Sequence, residues 1–199
     1  MVNTVAIMAE FEKQASCHPT VVPFAGHMER LYEECLIRPG TFIELGVFNV
    51  GPVSTTAFLR AAVATDSALY SCDMEPCEHT RQFVRKQFDI DDTSELWSFY
   101  QEDSVAFGRR WAEMWPIPQP INVLLIDTSH KARQTRKELE IWLPQLHEEG
   151  VALCHDTVSH PEGVLIPIEE YVEAHPEFGF ENIEESHGLG VIWRQTDVE

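Results

Sequence analysis

The chain has 199 residues, 44% hydrophobic and 10% aromatic, a composition that excludes a disordered chain and suits one domain with a buried core. Its 14 Lys plus Arg against 33 Asp plus Glu give a formal charge of −19. Nucleic acid and anionic membrane surfaces are held by clustered cations, so neither is an expected partner, while a small neutral or cationic molecule fits.

The five cysteines fall at irregular spacings without a C-x-x-C pair, so neither a zinc ribbon nor a disulfide framework is expected. The segment from Met1 to Phe11 lacks the basic start of a signal peptide. No apolar run approaches the roughly 20 residues of a membrane helix. The expectation is a cytoplasmic protein.

In chain order, Met1–Pro39 reads as a helical lead-in, with Met28, Leu31, Tyr32 and Cys35 at helical spacing. The main domain, residues 40–199, opens with a buried strand at Thr41–Val47 and helical material at Val53–Ala64. A second strand at Ala68–Asp73 precedes a helix at Glu78–Phe88, and a third at Glu95–Glu102 precedes a helix at Ser104–Trp115. Ile121–Ile126 (INVLLI) is almost wholly apolar, as a strand covered on both faces must be.

An amphipathic helix follows, with Ala132, Thr135, Leu139, Trp142, Leu143 and Leu146 on its apolar stripe. Lys131, Arg133, Arg136, Lys137 and Glu140 are expected on its solvated face. After Gly150 come a strand at Val151–His155, a helix containing Ile168, Tyr171 and Val172, and two short strands near Phe178–Ile183 and Gly190–Trp193. The repeated tripeptide His-Pro-Glu (His160–Glu162 and His175–Glu177) is chance or turn chemistry and carries no functional weight.

Strand–helix alternation of this kind predicts an α/β fold with a doubly wound, seven-stranded, mostly parallel sheet. The last two strands are joined by only about six residues, too few for a crossover helix, so they should pair as an antiparallel C-terminal hairpin.

At the first strand end stands Glu44-Leu-Gly46-Val-Phe-Asn49-Val-Gly51-Pro-Val-Ser54-Thr55. An acidic strand residue followed by glycines in the turn suggests close backbone approach by a ligand, at the carboxyl ends of the strands. Gly46 and Gly51 have the spacing of a nucleotide-triphosphate loop, but Pro52 stands where the lysine is needed. A carboxylate beside a glycine loop that lacks a phosphate signature suits a cationic cofactor.

Two further segments carry chemistry: Ile126-Asp127-Thr128-Ser129-His130-Lys131 and Cys154-His155-Asp156-Thr157. Both aspartates end strands that should be neighbours, about 4.8 Å apart, so their carboxylates converge. Such a pair either raises a pKa or shares a cation, and oxygen ligands favour magnesium or manganese. Each aspartate also suits a cap, His130 suits an exposed helix start, and His155 reads equally as a core histidine or a site residue.

These residues resemble the class I S-adenosylmethionine-dependent methyltransferases over about Gly40–Arg194. The resemblance is to the small O-methyltransferases with I-D-x-x-H after the fourth strand and an H-D or E-D pair ending the fifth. It implies a Rossmann-like methyltransferase fold binding S-adenosylmethionine. Glu44, Gly46, Gly51 and Ser54 would form its first motif, Asp73 would hold the ribose, and Asp103 and Ser104 would sit near the adenine. By the same resemblance Asp127 and Asp156 are ligands for Mg²⁺ or Mn²⁺, and His130 is the catalytic base beside Asp127.

Two departures are visible. Similar proteins carry G-x-x-x-G-x-S-T, whereas here Pro52 and Val53 separate Gly51 from Ser54, and Thr157 stands where a third oxygen ligand is usual. The implied activity is methyl transfer to a hydroxyl of a small sugar, phenol or other natural product, in secondary metabolism, with homo-oligomerisation open. Hydroxylation, rearrangement or elimination on the same fold, or a non-catalytic cofactor-binding partner, are the alternatives. The lead-in and Thr157–Glu170, carrying Phe11, His18, Phe24, His27, Met28, His160 and Ile166, are the expected cover of the acceptor.

Overall fold

The computed structural model describes residues 25–49, 53–114 and 119–195. Gly51, Trp115 and the lead-in residues Phe11, His18 and Phe24 lie outside them.

The order is α1 (Ala25–Ile37), β1 (Thr41–Leu45), α2 (Val53–Thr65), β2 (Ala68–Asp73), α3 (Glu78–Phe88), β3 (Trp97–Gln101), α4 (Ser104–Met114), β4 (Ile121–Ile126), α5 (Ala132–Trp142), β5 (Leu146–His155), α6 (Leu165–Ala174), β6 (Phe178–Ile183) and β7 (Leu189–Arg194). The strands form one seven-stranded sheet in the order β3-β2-β1-β4-β5-β7-β6. All pairs from β3 to β5 are parallel, and β7 runs antiparallel to both β5 and β6. The doubly wound sheet and its terminal hairpin are as the sequence predicts.

Alternate side chains feed two cores. Phe42, Val123, Leu125 and Leu153 pack with α1 and α2 residues such as Leu31 and Phe58. Ile43, Leu45, Leu124 and Ile126 pack on the other face with Phe107, Trp111, Leu139 and Trp142. Both faces of the central strands are thus covered, which accounts for the unbroken apolar run of β4.

Several boundaries differ from expectation, among them β3, which spans Trp97–Gln101 where the sequence predicts Glu95–Glu102. β1 stops at Leu45 because Gly46 turns the chain at φ +88°. The apolar stripe of α5 ends before Leu146, since a 3₁₀ turn over Leu143–Gln145 contains Pro144, whose missing N–H cannot continue the helix. β5 instead begins at Leu146 and takes in Gly150, with an irregular register against β4 between Ile121 and Val123.

Candidate active site

The winding of the sheet reverses between β1 and β4, the position where ligands bind in open α/β sheets. Gly46 N–H donates to the Cys72 carbonyl at 2.9 Å, and Asp127 N–H donates to the Leu45 carbonyl at 2.8 Å, so the tips of β2, β1 and β4 are tied together. A side chain at Gly46 would place its Cβ 1.8 Å from the Asp127 carbonyl oxygen. Only glycine permits both this contact and the positive φ.

Above these tips lies a crevice of about 580 Å³, within the range of small-molecule sites. Gly46, Asp73, Glu102, Asp103, Ser104 and Asp127 line it. An acid-lined cradle against glycine backbone fits a cationic sulfonium cofactor.

The residues assigned to the cofactor are held differently. Asp73 accepts the Val47 N–H at 2.7 Å and the Glu75 N–H at 2.8 Å, which fixes its carboxylate at the end of β2. Asp103 caps α4, accepting from Val105 and Ala106 N–H at 3.1 and 3.0 Å. Its neighbour Ser104 donates to Glu138 and accepts from Gln134 Nε2 at 2.9 Å.

Glu44 and Ser54 stand apart from this set. Glu44 shares its strand face with Phe42 and is fully buried. Its carboxylate accepts from Ser54 at 2.7 Å, Ser71 at 2.6 Å and Thr55 at 2.9 and 3.0 Å. Burial raises its pKa to about 7 against the lowering effect of these hydroxyls. Glu44 and Ser54 therefore support the crevice from beneath, and neither lines it.

The second half of the site is a cluster of imidazoles and carboxylates. His130 Nε2 lies 3.1 Å from Asp127 Oδ1 and 3.2 Å from Asp156 Oδ2. His155 Nδ1 lies 3.4 Å from Asp156 Oδ2 and 3.7 Å from Asp127 Oδ2, and His187 Nδ1 is 3.5 Å from Asp156 Oδ1. Asp127 belongs to both halves, since it also lines the crevice.

Local strain builds this cluster. His130 and Asp156 adopt φ of +50° and +68°, a left-handed backbone unfavourable for residues other than glycine. Gly163 passes so close that a Cβ there would sit 2.0 Å from the His130 carbonyl.

Hydrogen bonding to Asp127 raises the His130 pKa, opposed by partial burial. Burial works against the Asp156 charge, but hydrogen bonding and charge from His155, then the charge of His130, outweigh it and hold that carboxyl at about 2. Asp156 is therefore an anionic partner of His130 at neutral pH.

The same cluster fits a divalent ion. One ligand atom from each of Asp127, His155 and Asp156 lies within 4.8 Å of the others, and a second such group is His130, Asp156 and His160. Mixed imidazole and carboxylate donors suit manganese better than magnesium, which prefers oxygen throughout. Thr157 is no donor to this set: it is buried and donates to Asn182 Oδ1 at 2.7 Å.

Several participants escaped the sequence reading. Glu138, wholly buried, accepts from Ser104 and from Thr128 at 3.0 Å and so joins two crevice residues from below. No pattern distinguishes it from the polar face of an amphipathic helix. His187 comes from the β6–β7 turn, far along the chain from Asp156. Lys131 and Arg133 are exposed, as expected, and Lys137 is half-buried; all three also border the crevice, while Arg136 turns away to Glu170 at 2.8 Å.

A family model described as a methyltransferase domain matches residues 43–157, more than half of the chain. No curated protein matches the sequence. Among solved structures, the O-methyltransferase of tomaymycin synthesis from Streptomyces achromogenes, in complex with SAM, is 14% identical, with 94% of this chain and 89% of that one covered at a TM-score of 0.71. A Podospora anserina methyltransferase bound to SAH is 10% identical, covering 98% and 89% at 0.70. A TDP-rhamnose 3'-O-methyltransferase of calicheamicin biosynthesis is 15% identical, covering 86% and 78% at 0.65. At these identities the likeness is one of fold.

Proposed function

Because this chain belongs to the methyltransferase-domain family, as a class I S-adenosylmethionine-dependent methyltransferase, we propose that it transfers the methyl group to a hydroxyl of a small molecule. The observation that carries this reading is the sharing of Asp127. One carboxylate borders the cofactor crevice and holds His130 Nε2 at 3.1 Å. A base is thereby stationed beside the place where a sulfonium methyl would point.

In this reading the acceptor hydroxyl enters between the crevice and the imidazole. With its Nε2–H donated to the carboxylates of Asp127 and Asp156, neutral His130 takes the acceptor's proton on its other ring nitrogen, Nδ1, as the oxygen attacks the methyl carbon, and the bond from that carbon to sulfur breaks. Asp127 and Asp156 stabilise the imidazolium that forms, so the base is stronger than a free histidine. Held by Asp127, Asp156 and His155, a divalent ion would supply polarisation of the acceptor hydroxyl. The acceptor in this reading is a small molecule, a sugar, phenol or related natural product. Similar folds among enzymes of tomaymycin and calicheamicin formation support a place in secondary metabolism.

The test is transfer of labelled methyl from S-adenosylmethionine to a panel of sugar and phenol hydroxyls, with and without a chelator. Labelled methyl ether is the expected product. Absence of binding by S-adenosylhomocysteine at millimolar concentration would overturn the cofactor assignment, and full turnover in chelator would remove the metal.

A further inference from the structure

Three cations on the crevice wall have no role in the reaction described. Lys131, Arg133 and Lys137 line the same crevice as Gly46 and Asp127. In a chain with 33 acidic and 14 basic side chains, Arg30, Arg38, Arg81, Arg85, Arg110 and Arg136 pair with acids, while Lys86, Arg109 and Arg194, scattered over other parts of the described surface, do not. Among the described residues, Lys131, Arg133 and Lys137 take part in no ion pair.

Their placement also runs against the physics of the helix that carries them. Lys131 is the N-cap of α5 without a side-chain capping bond, and no acidic residue stands in the first turn. Cations there oppose the positive end of the helix dipole. Arg133 and Lys137 are four residues apart, like charges facing each other along one helix face. Local stability would favour acids here, and acids are abundant in this chain. An anionic ligand reconciles the arrangement, because it relieves both repulsions together.

We infer that Lys131, Arg133 and Lys137 form a subsite for a phosphoryl group carried by the acceptor, within the crevice that Gly46 and Asp127 also line. This rests on the methyl-transfer reading and narrows its substrate class. The crevice is bipolar. Asp73, Glu102, Asp103 and Asp127 suit the cationic cofactor, and three cations with one planar guanidinium among them suit the oxygens of a phosphate or diphosphate. The remainder of the acceptor then reaches from this anchor toward Asp127 and His130.

The experiment is calorimetric titration of inorganic pyrophosphate into the full chain at low ionic strength, with and without saturating S-adenosylhomocysteine. The wild type is compared with the triple variant Lys131→Gln, Arg133→Gln, Lys137→Gln. A charge-matched control replaces the exposed Lys86, Arg109 and Arg136 with Gln. The expected result is saturable pyrophosphate binding that weakens at least about tenfold in the crevice variant and less than about twofold in the control. Affinity for S-adenosylhomocysteine stays the same in all three.

Equal weakening in both variants would reduce the effect to net charge and overturn the subsite. So would a crevice variant that loses S-adenosylhomocysteine affinity, since the cations would then serve the cofactor's own carboxylate. Failure of the wild type to bind S-adenosylhomocysteine strikes the methyl-transfer reading alone, because the arm without it still reads pyrophosphate.

Discussion

His130 and Asp156 hold left-handed backbone conformations, at φ +50° and +68°, each costing about 1 kcal/mol for a residue with a side chain. The return is convergence, with His130 Nε2 within 3.2 Å of both carboxylates. Replacing His130 with Ala should lower kcat by about 10²–10⁴-fold, the range for a general base, while S-adenosylhomocysteine affinity by calorimetry stays within about twofold. Glu44 offers a test independent of turnover. Its pKa rises from 4.5 to about 7 on folding, so the native state binds the extra proton between those values and stability falls as pH rises through that window. The difference is about 3 kcal/mol at most. Denaturant unfolding across pH 4–8 should show this loss in wild type, and Glu44→Gln should remove that part of the slope. At this scale the sequence picked out which strand-end residues come together better than where each side chain points. Asp127, His130 and Asp156 meet because strand ends and a short I-D-x-x-H spacing dictate it. Glu44 turns beneath the crevice because it shares a strand face with Phe42, and its three hydroxyl partners come from β2 and α2, which no local pattern announces.

Among the elements, those with long periodic or apolar patterns were readable, and their ends were not. β4 was found residue for residue, because INVLLI has one interpretation in an alternating chain. Pro144, within the 3₁₀ turn that follows α5, stops the helix, and Leu146 passes from the expected helix stripe into β5. That choice between helix and strand is made by pairing with Ile121 on β4, a partner distant in sequence. At the start of α4, Asp103 both caps the helix through two N–H groups and lines the crevice. Substitution separates the roles. Asp103→Ala should destabilise by about 1 kcal/mol in denaturant unfolding. Asp103→Asn should keep the cap and the stability, since Asn caps as well as Asp, so any loss of S-adenosylhomocysteine affinity it shows measures the carboxylate alone.

On the scale of the molecule, the formal charge of −19 and the crevice act on stability in opposite directions, and salt distinguishes them. Self-repulsion among surface acids destabilises the compact state. It weakens as the Debye length falls from about 30 Å near 0.01 M salt to about 8 Å near 0.15 M, so the melting temperature of the free protein should rise over that range. The crevice exists only when the tips of β1, β2 and β4 and the start of α4 are assembled, because Gly46, Asp73, Asp103 and Asp127 are far apart along the chain. A ligand of that crevice therefore binds the native state and not the unfolded one. At a hundredfold excess over its Kd, S-adenosylhomocysteine should add about 2.7 kcal/mol, or about 5–10 °C for a chain of this size. With the ligand held at that multiple of the Kd measured in each buffer, this increment should be equal at both salt concentrations, while the baseline moves. An increment that vanished at high salt under those conditions would mean that the ligand acts by neutralising surface charge, and the crevice would lose its assignment.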